Sequence, residues 1–263
     1  MQRVSPDVYD HDYFLSNTCE GADEFHEGRG LSPLKRRQVG YLHPGPGLRV
    51  LDLGCGRGEV LLACAHAGAQ VAGLDYAQAA VDISRETLAE VPGAEVQQGD
   101  VTQLPWPDGS FDAVLSGDVI EHLVPADAAG MLREAHRVLR PGGRLILHTA
   151  PNVLFLKVTW PLARWPLIWA GHRATVDALE SWVAASKAYH VNEQSLYSLR
   201  RAVREAGFSD ATVWIDATVV RDGSHHTTAG LEGSAMIHLA QRLAALRIVR
   251  LFCGNDLWAV ARR

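Results

Sequence analysis

Between residues 48 and 150 the chain keeps one rhythm: a short apolar run, a glycine or an acid, then a longer stretch of helical composition. Runs at 48–53, 70–75, 95–99, 111–116 and 144–150 read as strands. Stretches at 59–67, 77–91 and 126–139 read as helices, stopped by Gly68, Pro92-Gly93 and Pro141-Gly142-Gly143. Parallel strands need crossover connections, and helices supply them with one handedness, so this alternation predicts an open α/β sheet. A ligand of such a sheet lies beyond the carboxyl ends of its strands. After Pro151 the rhythm breaks. Residues 152–189 form a Trp-rich, Pro-interrupted insertion. A helix at 193–206 and strands at 211–215 and 257–261 follow. Between those strands lie a polar loop, 222–233, with His225 and His226, and a helical segment at 236–251.

Hydrophobic residues make up 47% of the 263 and charged residues 21%, enough apolar material for a full core in one elaborated domain. A net charge of −5 argues against a broad basic surface, so nucleic acid is not expected as a partner. The short basic run Lys35-Arg36-Arg37 reads as a solvated helix end. Cys19, Cys55, Cys64 and Cys253 show neither CxxC pairing nor metal-ligand spacing, which fits reduced thiols in a cytoplasmic protein. The stretch MQRVSPDVYDHDYF has no apolar core of a secretory signal. Residues 153–170 are greasy, but Lys157, Pro161, Arg164 and Pro166 rule out one uninterrupted span of a bilayer.

The stretch VLDLGCGRGE, residues 50–59, sets three glycines in five positions directly after a strand. Something must pass close to that backbone. A triphosphate loop needs Lys-Ser or Lys-Thr after its glycines, and here Gly58 is followed by Glu59. A dinucleotide loop reads GxGxxG, and Glu59 stands where its third glycine belongs. A first-turn carboxylate also opposes a pyrophosphate, so a nicotinamide oxidoreductase is disfavoured.

Further motifs follow in order: Asp75 ending the second strand, Gly99-Asp100 after the third, FDAVLSGDVIEHL from residue 111 and REAHRVLRPGGRLILHTAPN from 133. Together with VLDLGCGRG this series resembles the class I S-adenosylmethionine-dependent methyltransferases of small-molecule type. It is similar to the methyltransferase domain of ubiquinone and menaquinone biosynthesis, over roughly residues 50–152. The resemblance implies a doubly wound, mostly parallel, seven-stranded Rossmann-like sheet whose last strand runs antiparallel. It also implies an N-terminal helical cap (1–44), a main domain (45–263) and a lid (152–190). The cofactor would be S-adenosyl-L-methionine, leaving as S-adenosyl-L-homocysteine.

Under that resemblance Gly54, Cys55, Gly56 and Gly58 pass their backbone under the amino-acid part of the cofactor. Asp52 orients this loop or takes the ligand ammonium. Asp75 accepts both ribose hydroxyls, a charge-assisted contact of ~1.5–3 kcal/mol. Tyr76 lies along adenine or ribose, Gly99-Asp100 and the Val101 N–H meet adenine, Ser116 borders the methionine part, and Arg37 meets the cofactor carboxylate. An acid after a strand also serves simply as a helix cap, the plain alternative for Asp75.

On the acceptor side, Tyr9, Tyr13, Phe14 and Phe25 are expected to line the cap, with Tyr13, Phe14 and Trp160 against the substrate. Trp160, Trp165 and Trp169 in the insertion predict an apolar wall over the acceptor or a surface that touches lipid, with core packing against the sheet edge as the plain alternative. Methyl transfer rests on positioning, with a base to take the acceptor's proton. His122 is the first candidate, then His190, then His148. If that stretch is helical, Asp118, Glu121 and His122 share one side and, with His190, resemble the ExxEH metal sites of some related enzymes, with Asp118 in place of the first Glu. A catalytically silent protein that only binds the cofactor is the rival reading.

Overall fold

In the computed structural model, which describes residues 3–16, 19–216, 242 and 246–263, the apolar runs meet in one seven-stranded sheet. The strands are β1 (Arg49–Leu53), β2 (Gln70–Asp75), β3 (Glu95–Gln98), β4 (Phe111–Gly117), β5 (Leu139–Thr149), β6 (Asp210–Ile215) and β7 (Leu257–Arg262). Their order is β3-β2-β1-β4-β5-β7-β6. The first five pair in parallel, and β7 runs antiparallel between β5 and β6, as the resemblance implies. Strand order reverses between β1 and β4, and a sheet of this kind opens its ligand crevice at such a reversal.

Alternate residues of each strand feed two cores. Val50, Val71, Ala113, Leu115 and Ile146 pack on α3 (Pro33–Leu42) and α4 (Glu59–His66). Leu51, Leu53, Val114, Leu145 and Leu147 pack instead with α6 (Pro125–Val138) and α9 (Leu196–Glu205). Burial on both faces explains why these strands read as continuous apolar runs. The remaining helices are α1 (His11–Leu15), α2 (Ala22–His26), α5 (Gln78–Thr87), α7 (Trp160–Trp169), α8 (Arg173–Ser186) and α10 (Arg247–Cys253).

Three differences from the sequence reading have physical causes. β5 begins at Leu139, because the Pro141-Gly142-Gly143 stretch is carried within the strand by a register shift against Phe111–Ala113. α9 starts at Leu196, where Ser195 and Ser198 form a capping box. The insertion is helical almost throughout: a π-helical turn (Phe155–Thr159) runs into α7, and α8 follows, with Arg164 donating to Glu180 at 3.1 Å. Pro161 stands where the π-helical turn passes into α7, and Pro166 lies inside α7. The polar loop with His225 and His226, and most of the segment 236–251, lie outside the described residues. Among the described residues no helix is long and apolar enough to cross a membrane.

Candidate active site

Backbone geometry makes the turn after β1. Gly54, Gly56 and Gly58 all have positive φ, at 76°, 51° and 79°. A Cβ on Gly54 would overlap the Val119 side chain, and one on Gly58 would come within 2.5 Å of Ser84 Oγ. At Gly56 the nearest atom to such a Cβ is 3.8 Å away, on the Phe14 ring, so the tip of the turn is left open under the cap. Cys55 turns its sulfur into the core, where Ser84 Oγ donates to it at 3.6 Å, and leaves only backbone toward the crevice.

Carboxylates stand around this turn. Asp75 is buried; one oxygen accepts the Gly56 N–H and the other the Ala77 N–H, each at 3.0 Å. α5 begins after Ala77 with no side-chain cap, so Asp75 braces the glycine turn rather than capping that helix. Burial raises the Asp75 pKa above the usual carboxylate range. Asp52 is buried too, and among the described residues no hydrogen bond reaches its carboxyl group. Burial first, with the charges of Asp75 and Glu59, pushes its pKa up to about 8 against the pull of Lys35. Asp100 is more open: Thr102 donates twice to one oxygen, at 2.8 and 2.7 Å, and Arg3 to the other at 2.9 Å. Burial works against its charge, but Thr102 and Arg3 hold its pKa low. The Gly99 N–H is spent on the Asp75 carbonyl, Tyr76 is exposed, and Val101 is buried.

Arg57 and Lys35 join the cap to this turn, a role the sequence reading missed. The Arg57 side chain is fully buried. It donates to Phe14 O at 2.6 Å, to Glu20 O at 2.5 Å and to both oxygens of Glu59, with Phe25 beneath it. Lys35 completes the group, 2.6 Å from Glu59. Burial would raise the Glu59 pKa, yet Lys35 and Arg57 hold it below the usual range. Glu59 is thus spent on the cap rather than facing a ligand. An arginine inside a glycine turn, two residues before an acid, was the available signal.

The other side of the crevice is built beyond β4. Ile120–His122 is a short 3-10 turn, not a helix, and Asp118 before it has φ of +55°. The expected Asp118–Glu121–His122 helix face therefore does not exist. Asp118 instead lies 2.9 Å from His148 Nδ1, whose other nitrogen is 3.6 Å from Asp256. Burial opposes a charge on His148, but the two acids push its pKa up to about 9. A cation at neutral pH, locked between two anions, is unsuited to be the base.

Three distant segments bring His122 and His190 together. The Glu121 carbonyl accepts the Val191 and Asn192 N–H groups, which pins the chain leaving the lid beside the 3-10 turn. The two imidazoles lie with ring centroids 4.9 Å apart. Tyr189 stacks on His122 at 5.6 Å, and Tyr9 Oη is 3.0 Å from His122 Nδ1. Tyr13 packs against both Tyr9 and Tyr189. Burial lowers the pKa of His122 to about 3 and that of His190 to about 4, so both rings are neutral at physiological pH. Glu121 accepts a bond from Thr149 Oγ1 at 2.8 Å, and burial raises its pKa. Ligand atoms of Glu121, His122 and His190 lie within 4.8 Å of one another, close enough to hold a divalent cation, without Asp118.

Other expected residues are placed differently. Arg37 is engaged by Asp216 and sits over the Trp258 ring, away from the glycine turn. Ser116 turns its hydroxyl onto Met131 in α6, leaving backbone at the crevice. Phe14 covers the glycine turn rather than the histidine cluster. Trp160 is buried against Phe155, whereas Trp165 and Trp169 are exposed.

Residues 51–147 match a family profile described as a methyltransferase domain. The demethylmenaquinone methyltransferase of Symbiobacterium thermophilum is 32% identical over 189 residues, covering 66% of this chain and 73% of its own length. The chain belongs to the class I S-adenosylmethionine-dependent methyltransferases. S-adenosylmethionine is the cofactor of that family. The ubiquinone biosynthesis O-methyltransferase of Ruegeria pomeroyi is 38% identical over 115 residues, 43% of this chain and 45% of that protein. The solved structure of a SAM-dependent methyltransferase from Archaeoglobus fulgidus superposes with a TM-score of 0.60 at 18% identity, covering 88% of this chain and 93% of that one; it supports the fold. The chain spans about half the length of several curated relatives that it matches.

Proposed function

We propose that this methyltransferase-family chain moves a methyl group from S-adenosylmethionine to a small organic acceptor with an apolar or aromatic body, of the isoprenoid or quinone kind. One observation carries the reading: a neutral His122, ringed by Tyr9, Tyr13, Tyr189 and His190, stands three residues beyond Val119, which packs on Gly54 of the glycine turn. The residues present also fit the cofactor. Gly56 leaves a cradle that a side chain would fill, and Asp52 is a buried carboxyl group without a hydrogen bond among the described residues.

When bound, S-adenosylmethionine supplies a methyl carbon already activated by its sulfonium. Asp52 would hold the ammonium group, Asp75 the ribose hydroxyls and Asp100 the adenine amino group, with Gly99, Val101 and Tyr76 beside it. His122 is the group placed to take the proton that the acceptor sheds on methylation, which requires the bound acceptor to raise its pKa from about 3 toward neutrality. His190, Tyr9 and Tyr13 orient the acceptor ring, and the lid excludes water. The similarity to a demethylmenaquinone methyltransferase supports a prenylated ring as acceptor.

Transfer of labelled methyl to prenylated phenols, simple phenols and free amino acids tests this. Prenylated phenols are expected to be methylated fastest, with activity lost in His122→Phe while S-adenosylhomocysteine still binds. Faster methylation of free amino acids, or full activity in His122→Phe, would overturn the reading. Binding of the cofactor with no transfer to any class would favour a silent binding protein.

A further inference from the structure

A helix on a protein surface ordinarily turns its apolar stripe inward. The lid does the reverse over part of its length. Val158, Leu162, Trp165 and Trp169 follow one another at spacings of four, three and four, which is one face of a helix. All four are exposed, at 39%, 71%, 54% and 86%. Trp160, on another side of α7, is buried at 8%. The lid thus has an inner apolar face and a second one facing out. Next to it, Thr159 Oγ1 donates to Phe252 O at 2.6 Å, joining the lid to α10, where Leu246, Ile248 and Phe252 are also exposed.

Charge points to the occupant. From residue 153 to residue 176 the chain carries Lys157, Arg164 and Arg173 and no acid. From 246 to 255 it carries Arg247 and Arg250 and again no acid. Glu180 and Asp177 pair with Arg164 and Arg173 and offset them, so Lys157 and Arg247 carry the excess. In a chain of net charge −5 this is a local cationic excess set around exposed tryptophan and leucine. That combination matches a segment lying in the headgroup layer of an anionic membrane, with indole rings at the interface and basic side chains on the phosphates.

We infer that the outer face of α7, with the adjoining exposed end of α10, docks on an anionic lipid bilayer surface. The lid would then have two sides with different tasks. Its outer stripe sits in the headgroup region, while the chain leaving α8 carries Tyr189 and His190 to His122. This goes beyond the proposed reaction and does not depend on which acceptor is methylated.

Flotation of the full chain with vesicles, without cofactor or acceptor, tests the docking alone. Vesicles of phosphatidylcholine with about 30% phosphatidylglycerol are compared with phosphatidylcholine alone, at low and high salt. The expected result is binding at least tenfold stronger to the anionic vesicles, weakened by salt. Trp165→Ser with Trp169→Ser should lower it at least tenfold, and Lys157→Glu with Arg247→Glu should remove the preference for the anionic lipid. Melting curves and S-adenosylhomocysteine affinity are read in parallel to confirm that the variants fold. No flotation of the wild-type chain, or equal flotation of the tryptophan variant, would overturn the inference. So would sedimentation showing a dimer that the tryptophan variant dissolves, because the stripe would then be covered by a second copy. Failure here leaves the methyl-transfer test standing, since that assay uses no vesicles.

Discussion

On the β1–β2 side of the crevice, the glycine turn and Asp75 are held by neighbours close in sequence. Asp75 holds the N–H groups of Gly56 and Ala77, 19 and two residues away, and the glycine turn closes on itself through Gly58 N–H to Cys55 O at 2.9 Å. On the β4–β5 side, His122 meets Tyr9 across 113 residues and His190 from the far end of the lid. The first half is rigid scaffold, preset by strands and a tight turn. The second is assembled only when cap, lid and sheet have all folded. A cofactor shared by a family suits the first kind of site, and an acceptor that differs between members suits the second.

If this contrast holds, changes on the acceptor side should damage turnover and spare cofactor binding. His122→Phe is expected to lower kcat by about 10²-fold or more, with S-adenosylhomocysteine affinity unchanged, by steady-state kinetics and calorimetry. Loss of cofactor binding in this variant would merge the two halves. Arg57→Ala attacks the seam between them. It leaves Glu59 buried with Lys35 alone and frees the Phe14 and Glu20 carbonyls, and should cost about 3–5 kcal/mol in chemical denaturation. Arg57→Lys keeps the charge but not the fork, and should recover only part of that loss.

Asp75→Ala is aimed at the cofactor half, where loss of charge-assisted bonds of ~1.5–3 kcal/mol means at least tenfold weaker binding. Unchanged affinity would reduce Asp75 to a brace of the glycine turn. The smallest effect concerns pH. The Asp52 pKa is raised to about 8, so at pH 7 its carboxyl group holds a proton that must leave before it can pair with an ammonium group. Affinity should therefore rise as pH increases from 6 toward 8, by at most about tenfold per unit, and then level off. Asp52→Asn should flatten that slope in calorimetric titrations, and a slope unaltered by the substitution would assign the titration elsewhere.

The same contrast decides what could be read from the sequence. The strands and the positions of Asp75 and Gly54 were legible, because period and punctuation are local signals, while the antiparallel last strand came only with the family resemblance. Arg57 was not, since nothing in its neighbourhood shows that its guanidinium reaches the carbonyls of Phe14 and Glu20. Asp118 was assigned to a helix face, but its positive φ turns it onto His148. Arg37 is drawn to Asp216 and Trp258, partners fixed by β6 and β7 near the far end of the chain. Meeting points set by tertiary packing leave no periodic trace. The tryptophans of the insertion could not be sorted from the sequence, and only the packing separates buried Trp160 from exposed Trp165 and Trp169.

The most direct test of a site in two separable halves is calorimetric titration of S-adenosylhomocysteine into wild type, Asp75→Ala and His122→Phe at one pH. The account predicts tight binding to wild type, at least tenfold weaker binding to Asp75→Ala, and wild-type affinity in His122→Phe. Equal affinity in wild type and Asp75→Ala, or loss of binding in His122→Phe alone, would contradict it.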